Sequence, residues 1–361
     1  MSEHPRLSVV LITWREREAI ERTIPALIEQ FEEGDELVVS DNDSQDGSLD
    51  AVAELAPNAT VVRNGDNLGF TGGCNAGAAA ASGDLLLFLN PDAVPQPGFV
   101  EAIKEPMRAA AGSDGGRRWD AWMGLVTSEN GRIVNTDGNE IHYTGICWAG
   151  GDGRPASQAV DSPQEVPYLS GACLAVPMEV WRRYGGFPPP FFIYHEDVDI
   201  SLRVRLEGGH VGIEPAAIVD HDYEFTKGAA KWRRLERNRW AVILRNYPTA
   251  LLLLLLPALL ATELAMLVVA AAGGWGRQKL LAIGDTIAAL PRLFRERREI
   301  QARRKISAAE FAAWLTPDLD SRYLGRASRS PLLRALLRGY WALVRAVLRV
   351  PAPERAPGPG A

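Results

Sequence analysis

The chain has 361 residues, of which 47% are apolar and 23% charged, and its Gly and Pro residues follow no repeat period. These proportions exclude a disordered, collagen-like or low-complexity protein and leave room for two or three domains. Residues 1–226 hold 15 Lys and Arg against 36 Asp and Glu, whereas residues 227–361 hold 24 against 9. An acidic first part excludes a typical nucleic-acid binder, and a basic second part with an apolar run favours a membrane surface.

The chain has three cysteines, Cys74, Cys147 and Cys173, which are widely spaced. This number and spacing fit neither a disulfide framework nor a zinc motif, and they favour a reducing compartment. No signal peptide precedes the first predicted strand, so we expect the first part of the chain to stay on the cytoplasmic side of the membrane.

The first ninety residues alternate short apolar runs with segments of helical periodicity. The runs predict strands at 7–13, 36–40, 60–63 and 84–89, and the periodic segments predict helices at 16–31, 48–55 and 75–82. Such alternation predicts an α/β fold, a mostly parallel central sheet with helices on both faces.

The pattern changes from about residue 108. We expect a flexible loop at 112–118, short strands within 123–146, and a long polar loop at 150–167 of the kind that often forms a lid. A strand at 168–176, a helix at 198–206 and a strand at 210–220 then complete a domain that spans residues 1–226.

Residues 227–361 are predicted to form a basic helical region that associates with a membrane. A basic helix at 227–246 precedes an apolar segment at 250–272, whose one charged residue is Glu263. The segment is long enough to span a bilayer, but basic residues flank both of its ends and give no preferred orientation. A segment that dips into one leaflet or packs against a second copy is favoured, and a buried core helix remains open.

Residues 332–350 have the pattern of a basic amphipathic helix, because their arginines share one helical face and apolar residues fill much of the remainder. The pattern fits an interfacial membrane anchor and an ordinary surface helix equally well. The arginines are Arg334, Arg338, Arg345 and Arg349. The tail at 351–361 is predicted to be disordered.

Polar residues follow all four strands of the first part, at the sheet edge where α/β proteins bind ligands. Asp41 can accept hydrogen bonds from a nucleobase or a ribose, glycines 69, 72 and 73 let backbone approach a ligand, and Asp92 can hold a divalent cation. Each feature alone fits ordinary turn chemistry, but together they favour a nucleotide–metal site. The P-loop motif is absent, and Gly69–Gly77 is not a dinucleotide-binding fingerprint, which argues against a P-loop NTPase and a Rossmann dehydrogenase.

A second cluster, His195-Glu196-Asp197-Val198-Asp199, opens the helix predicted at 198–206. Acids at a helix start are stabilised by the helix dipole without any further role, but three carboxylates beside a histidine exceed what capping needs. His221, at the end of the last predicted strand, is the natural imidazole partner for a metal at Asp92.

These motifs, in this order, resemble family-2 glycosyltransferases of the GT-A fold, and especially the bacterial rhamnosyltransferase-like subgroup. The matching segments are SVVLITWRERE, VVSDNDSQDGS, NGDNLGFTGGCNAG, LFLNPDAV, YLSGACLAV and FFIYHEDVDISLRVRLEGG, followed by a later His. The resemblance covers about residues 6–245.

The resemblance implies a role for each matching position. Asp197 would be the general base, and Asp92 and His221 would bind Mg²⁺ or Mn²⁺, although Asn90 stands where the family's D-x-D motif has an acid. Gly171, Ala172, His195 and Glu196 would line the acceptor or sugar pocket. The positions implied for the nucleotide-sugar donor are Thr13, Trp14, Arg15, Glu16, Asp41, Asn42, Asn67, Gly69, Phe70, Gly73, Asn90 and Asp92.

The implied reaction is an inverting, metal-dependent transfer of a sugar, most simply rhamnose from dTDP-rhamnose, to a lipid-linked or cell-wall glycan. A nucleoside diphosphate leaves as a stable anion, so one carboxylate that takes the acceptor's proton suffices. The helix start is expected to lower the pKa of Asp197. Other donors remain open (UDP-galactofuranose, UDP-N-acetylglucosamine or another hexose), as does a catalytically silent, membrane-tethered glycan-binding protein. A homo-oligomeric state also remains open.

Residues 236–240, Glu-Arg-Asn-Arg-Trp, resemble the Q-x-x-R-W signature of processive polysaccharide synthases, with Glu in place of Gln. Processive synthases extrude their product through several membrane-spanning helices, and this chain has at most one such segment. We therefore predict a non-processive enzyme, with residues 236–240 on a helix surface and available for an acceptor or diphosphate contact.

Overall fold

The computed structural model describes residues 4–111, 119–221, 228–320 and 330–350. The loop predicted at 112–118 and the tail predicted at 351–361 lie outside these residues. The strands are β1 (Leu7–Thr13), β2 (Glu36–Asp41), β3 (Thr60–Arg63), β4 (Leu85–Leu89), β5 (Ala93–Pro95), β6 (Ala121–Ser128), β7 (Ile133–Thr136), β8 (Asn139–Ile141), β9 (Cys147–Ala149), β10 (Gln164–Glu165), β11 (Cys173–Pro177) and β12 (Val211–His221).

Eleven α-helices accompany the strands in the described part of the chain. They are α1 (Arg17–Ile28), α2 (Ser48–Leu55), α3 (Gly69–Ala80), α4 (Phe99–Ala111), α5 (Met178–Tyr184), α6 (Glu196–Leu206), α7 (Ala230–Asn246), α8 (Thr249–Ala272), α9 (Gly276–Ala302), α10 (Ala308–Ala312) and α11 (Pro331–Leu348). The sequence predicted α2 with its observed bounds, but it did not predict α5 or α9.

The central sheet has the strand order β10-β12-β6-β11-β4-β1-β2-β3, with β5 paired to β12 and β7 to β6. Strands β3, β2, β1 and β4 are mutually parallel, and β12 is parallel to β6, whereas β11 is antiparallel to both of its neighbours. The predicted α/β architecture is confirmed. The parallel strands bring the ends of β1, β2 and β4 to one edge of the sheet.

Two predicted segments have different boundaries in the structure. The strand predicted at 168–176 begins only at Cys173, because the preceding residues turn toward α6. Helix α3 begins at Gly69, six residues before the predicted start, so the glycines predicted to lie in a loop are helical. A Cβ atom on Gly73 would lie 2.7 Å from Ile12, and one on Gly77 would lie 2.3 Å from Val10. These glycines let α3 pack directly on β1, which outweighs their low helix propensity.

The loop predicted at 150–167 contains a short 3₁₀ helix (Ala156–Gln158) and strand β10. Its first half is held against β7, because the Val134 amide donates to the Arg154 carbonyl at 2.8 Å and Ala156 donates to Arg132 at 2.8 Å. Whether this segment covers a ligand stays a prediction.

Two hydrophobic cores stabilise the protein. The first surrounds the sheet. The second combines residues from both sides of residue 226, such as Tyr143 and Phe191 with Tyr247, Leu255 and Trp341. The basic region is therefore packed onto the sheet part through a shared core, and α7 is the element that joins them.

Helix α8 is, among the described residues, the one helix long and apolar enough to cross a membrane. It packs on the protein through Leu251, Leu255 and Leu259, whereas Leu253 and Leu264 are each 66% exposed. The alternative of a fully buried core helix is therefore wrong.

Helix α11 buries Trp341 and Val344 and leaves Leu332 and Leu336 exposed. It ends at Leu348, and Arg349 follows with a φ of 57°, so the fourth arginine does not continue the helical face predicted for it.

Candidate functional site

The ends of β1 and β2 lie side by side, as the sequence predicted. Thr13 is paired in register with Asp41, and Asp41 with Arg63 on β3. Asp41 is 3% exposed and its Oδ1 accepts a hydrogen bond from the Ser44 amide at 3.1 Å. The Thr13 hydroxyl is buried and has no hydrogen-bond partner in the described part of the chain. Both side chains thus stand where a donor nucleotide is expected.

The turn after β1 carries Trp14, Arg15 and Glu16. Arg15 has a φ of 62°, its amide donates to the Ser44 hydroxyl at 3.0 Å, and the Glu16 amide donates to the Ser48 hydroxyl at 3.2 Å. The turn is thereby fixed to the loop after β2 and to the first residue of α2. The Trp14 ring is 48% exposed beside this loop, with the Arg15 guanidinium 5.3 Å from its centroid.

Asn42 and Asn67 fix the start of α3. Asn42 Nδ2 donates to the Gly69 carbonyl at 3.0 Å, and its Oδ1 accepts from Asn64 Nδ2 at 3.0 Å. Asn67 Oδ1 accepts from the Gly69 amide at 2.8 Å. These amides therefore already have partners within the protein.

Gly69 approaches protein backbone and not an open cavity. Its φ is 69°, and a Cβ atom there would lie 2.4 Å from the Phe192 carbonyl oxygen. The Thr71 amide donates to the same carbonyl at 3.1 Å. The close approach predicted for Gly69 and Gly73 therefore serves packing, of α3 on the Phe192 loop and on β1 respectively. Phe70, between them, points toward Gly171.

Asn90, Asp92 and His221 come together from distant parts of the chain. Strand β5 pairs antiparallel with β12, with Ala93 opposite His221, and this pairing places Asp92 beside the imidazole. Asp92 Oδ1 lies 3.1 Å from His221 Nε2, and Asn90 Nδ2 lies 3.4 Å from the same nitrogen. The predicted meeting of Asp92 and His221 is confirmed as a contact.

These three side chains fit a divalent cation by their chemistry. No group of three or more His, Cys, Asp and Glu arranged for a metal occurs within the described ranges. However, the Asp92–His221 separation matches that of neighbouring ligands on one ion, which is about 3 Å for bonds of about 2.1 Å. The Asn90 amide could offer its oxygen after rotation. A set of two or three protein ligands leaves positions for the oxygens of a diphosphate.

The backbone of residues 171–172 connects Asp197 to the cluster of Asn90, Asp92 and His221. The Asn90 amide donates to the Ala172 carbonyl at 3.0 Å, and the amide of the adjacent Gly171 donates to Asp197 Oδ2 at 3.1 Å. A Cβ atom on Gly171 would lie 3.5 Å from the Phe70 ring and 3.6 Å from a carboxylate oxygen of both Asp197 and Glu196. Gly171 thus lies at the centre of a small group formed by Phe70, Glu196 and Asp197.

The acid–base properties of Asp197 differ from the expectation. Burial raises its pKa to about 6, against the backbone hydrogen bonds from Val198 and Gly171 that lower it. The predicted lowering at the helix start is therefore wrong, because desolvation outweighs the first-turn amides. Burial, followed by the charge of Asp197, raises the pKa of Glu196 well above its usual value, and Glu196 Oε2 is buried without a hydrogen-bond partner in the described chain.

Asp199, the third acid of this turn, forms ion pairs within the protein and does not face the candidate site. Asp199 is fully buried and accepts hydrogen bonds from Arg203 Nε at 2.8 Å, Arg245 Nη1 at 2.7 Å and Asn246 Nδ2 at 2.9 Å. It joins α6 to α7. Only two of the three carboxylates therefore face the candidate site.

Helix α7 fixes the backbone of the segment before Asp197, and the sequence did not predict this contact. Phe192, Tyr194 and His195 have φ values of 66°, 76° and 67°, an unfavourable region for such residues. Asn238 Nδ2 lies 3.0, 3.0 and 2.8 Å from the carbonyl oxygens of residues 191, 193 and 194. Arg237 Nη2 donates to the carbonyl of residue 191 at 2.9 Å. In the sequence, the segment Glu-Arg-Asn-Arg-Trp at 236–240 was the one feature that could have pointed to this contact.

His195 is 9% exposed, and burial followed by the charge of Arg239 lowers its pKa to about 4. It is therefore a neutral imidazole at neutral pH.

Glu236 and Arg239 are buried, so the prediction that residues 236–240 form a helix surface is wrong. Arg239 Nη2 donates to Glu236 at 3.0 Å and to Glu263 at 2.9 Å, and Lys279 pairs with both acids. This buried ion cluster (Glu236, Arg239, Glu263 and Lys279) joins α7, α8 and α9, and Arg239 Nη1 also donates to the Thr144 carbonyl at 3.0 Å.

Comparison with known proteins relates the chain to a family. Residues 8–146 match the model of the family "Glycosyl transferase family 2". Residues 8–146 therefore form a glycosyltransferase family 2 domain. This glycosyltransferase is 26% identical over 247 residues to an N-acetylglucosaminyl-diphospho-decaprenol L-rhamnosyltransferase of Mycobacterium tuberculosis, a match that covers 62% of the chain and 78% of that relative. The family and the rhamnosyltransferase-like subgroup indicated by the motifs are thereby confirmed.

Solved structures agree on the fold of the glycosyltransferase. TarS of S. aureus (residues 1–349, in complex with UDP) superposes with a TM-score of 0.55 at 16% identity, covering 98% of this chain and 95% of that one. GalNAc-T7 with UDP, GalNAc and Mn²⁺ gives 0.54 at 17% identity over 68% of this chain. The match spans about half (48%) of the GalNAc-T7 chain.

Proposed function

We propose that this glycosyltransferase is an inverting, non-processive enzyme that moves a sugar, rhamnose from dTDP-rhamnose, to a hydroxyl of a lipid-diphosphate-linked glycan at the cytoplasmic membrane surface. The observation that carries the proposal is Asp197, a carboxylate with a pKa near neutrality held by Gly171, one residue from the backbone that contacts Asn90. The mycobacterial relative, which is named for rhamnosyl transfer to such an acceptor, supports the choice of sugar and lipid.

Asp197 is suited to take the proton of the acceptor hydroxyl. Each of its oxygens accepts one backbone hydrogen bond, from Val198 to Oδ1 and from Gly171 to Oδ2, and each keeps a further lone pair. As the hydroxyl oxygen bonds to the anomeric carbon, its proton moves to Asp197 and the bond to the nucleoside diphosphate breaks. One displacement inverts the anomeric configuration and needs no covalent intermediate.

The donor would lie along the sheet edge, with its nucleoside near Thr13, Trp14 and Asp41 and its diphosphate near Asp92 and His221. A bound Mg²⁺ or Mn²⁺ would neutralise charge on the leaving diphosphate. Phe70 and Gly171 leave room for a sugar ring beside Asp197, since Gly171 has no side chain.

Residues 227–361 would bring the enzyme to the membrane. Helices α8 and α11 expose large apolar side chains, among them Leu264, Val268 and Leu336 at 66%, 70% and 68%. Basic residues occur on α11, at Arg334, Arg338 and Arg345, as expected of a region that meets anionic lipid.

The proposal is tested by incubating the full chain with dTDP-rhamnose, Mn²⁺ and a polyprenyl-diphospho-N-acetylglucosamine acceptor in detergent. We expect dTDP release that depends on the acceptor, and a product whose anomeric configuration, by NMR, is opposite to that of the donor. UDP-sugars under the same conditions should release little nucleotide. Retained configuration would refute the single displacement, and product formation only from a UDP-sugar would refute the assigned donor.

The rate should fall at acidic pH because the base must be ionised. With a pKa of about 6 for Asp197, kcat/KM for the acceptor should be level above about pH 7 and should decrease about tenfold for each unit below pH 6. Steady-state rates between pH 5 and 8 measure this, with donor binding followed by calorimetry at each pH as a control. A level profile down to pH 5 would contradict Asp197 as the base.

Replacing Asp92 should weaken donor binding through the metal. Asp92→Asn removes the charge beside His221, and we expect the donor Kd in Mn²⁺ to rise about 10–100-fold, as for loss of a metal contact elsewhere. Without divalent cations the two proteins should bind alike. Asp161→Asn, at an exposed acid of the 150–167 segment, is the matched control. Equal metal-dependent affinity of Asp92→Asn and wild type would remove Asp92 from the site.

A further inference from the structure

A cavity between α7 and α9 is lined mainly by arginines. Its volume is about 530 Å³. The residues around it are Ala230, Arg233, Arg234, Arg237, Arg277, Gln278 and Leu281. Four guanidinium groups thus surround one concave space, which is the arrangement that binds phosphates through paired N–H groups.

The cavity carries more positive charge than its neighbours neutralise. Arg233 forms a two-point ion pair with Asp285, at 2.6 and 2.8 Å. Within the described ranges, Arg234, Arg237 and Arg277 form no ion pair with an acid. Burial, and then the nearby Arg234 and Arg233, lower the pKa of the Arg237 guanidinium against the opposing charge of Asp285. A bound anion would relieve this repulsion.

Arg233 and the helices beside it are held in place before any ligand arrives. The rings of Trp232 and Trp275 stack with centroids 4.8 Å apart and planes 14° apart, which fixes the start of α7 against the turn between α8 and α9. Asp285 holds Arg233 from the α9 side. Ligand binding would therefore cost little side-chain conformational entropy in this part of the cavity.

The cavity lies between the segment 191–195, which leads to Asp197, and the end of the apolar helix α8. Arg237 donates to the Phe191 carbonyl, and the Arg234 guanidinium lies 4.5 Å from the Phe192 ring centroid, both in the segment that leads to Asp197. On its other side, Arg277 follows the end of α8 by five residues, and Leu280 beside it is 63% exposed. A ligand here would reach both the candidate active site and a lipid phase.

We propose that this arginine cavity binds the diphosphate of the lipid-linked acceptor, with the lipid chain along α8 and the terminal sugar directed past Phe192 toward Asp197. The inference rests on the proposed function for its acceptor class. A diphosphate esterified at both ends has four non-bridging oxygens and two negative charges, which three guanidinium groups without acidic partners can bind and neutralise. The donor's diphosphate is assigned to the sheet edge near Asp92, so the two phosphate sites are separate.

The test measures binding of the full chain to vesicles by co-sedimentation, in EDTA so that no metal bridges phosphates at Asp92 and His221. The vesicles are phosphatidylcholine alone, phosphatidylcholine with polyprenyl diphosphate, and phosphatidylcholine with phosphatidylglycerol at equal charge. We expect the wild type to bind diphosphate vesicles about tenfold more tightly than either other kind. The double variant Arg234→Gln/Arg277→Gln should lose this preference.

Arg295→Gln is the matched control, because Arg295 is exposed on α9 roughly 27 Å along the helix from Arg277. It should bind as the wild type does. The single variant Arg277→Gln, at an exposed position, keeps the test valid if the double variant folds poorly, and it should reduce the preference at least threefold.

Three results of the binding test would overturn the inference: no preference of the wild type for diphosphate vesicles, equal binding to phosphatidylglycerol vesicles, or an unchanged preference in the arginine variants. A failure of the proposed function looks different. In that case transfer from dTDP-rhamnose is absent while the arginine-dependent preference for diphosphate persists. Conversely, normal transfer with an unchanged acceptor KM in Arg234→Gln/Arg277→Gln would reject the cavity and leave the function intact.

Discussion

Replacing Asp197 with Asn should abolish sugar transfer and, at the same time, stabilise the folded protein. An amide cannot take the acceptor's proton, so kcat should fall by about 10²–10⁴, the usual contribution of a general base. Donor affinity should be unchanged, because the sheet edge proposed to bind the nucleotide is untouched. Single-turnover assays and donor calorimetry on the same preparation measure both effects.

The gain in stability follows from the raised pKa. A pKa of about 6 in the folded state, against an unfolded value near 3.9, means that ionised Asp197 destabilises the fold at neutral pH by about 2–3 kcal/mol. Asn removes this cost but can accept only one of the two backbone hydrogen bonds, which returns about 1 kcal/mol. A net gain of about 1–2 kcal/mol in urea unfolding at pH 7.5 is expected.

The pH dependence of this gain provides a check on its cause. The raised pKa means that the folded state binds a proton more tightly than the unfolded chain does. The difference between the variant and the wild type should therefore disappear as pH falls from about 6 to about 4. Wild-type turnover in Asp197→Asn would remove Asp197 from the base role, whatever its stability.

The same substitution two residues later should have the opposite effect on stability. Asp199→Asn removes the charge that faces Arg203 and Arg245, and both guanidinium groups are almost fully buried. Breaking a buried pair costs about 3–5 kcal/mol because the remaining charge is uncompensated. Arg245 keeps a second acid, Glu296, at 3.0 Å, so we expect a loss of about 3 kcal/mol.

Urea unfolding of the two Asn variants, compared with the wild type, measures this contrast. Asp197→Asn is the matched control for the chemical change, since both positions lie in the first turn of α6. We expect the two midpoints to move in opposite directions. A midpoint for Asp199→Asn equal to that of the wild type would mean that the buried pairs contribute nothing.

The strand-end residues were predictable because they depend on local signals. Strands built from short apolar runs end at Thr13, Asp41 and Leu89, and the parallel sheet brings those ends to one edge. The contact of Asp92 with His221, 129 positions apart in the sequence, followed from the chemistry that a divalent cation requires.

The remaining features depend on contacts between distant segments. The start of α3 at Gly69 is set by packing on Phe192 and on β1, whereas the local glycine content argued against a helix. The pKa of Asp197 is set by burial, which no spacing of acids reveals. The arginine cavity joins residues of α7 with Arg277, some 40 positions away, and sequence alone gives no measure of that proximity.

Glu263 has a consequence for how the enzyme meets lipid. It lies fourteen residues into α8, roughly 21 Å from the first residue of that helix, and its carboxylate is bonded to Arg239, Trp240 and Lys279. If α8 crossed a bilayer, Arg239 and Lys279 would either enter the hydrocarbon with Glu263 or leave its carboxylate there without an ion-pair partner, and both are costly. Helix α8 is thus held lengthwise against the rest of the protein, and in the proposed membrane association its exposed side would enter only the outer part of the leaflet that faces the enzyme.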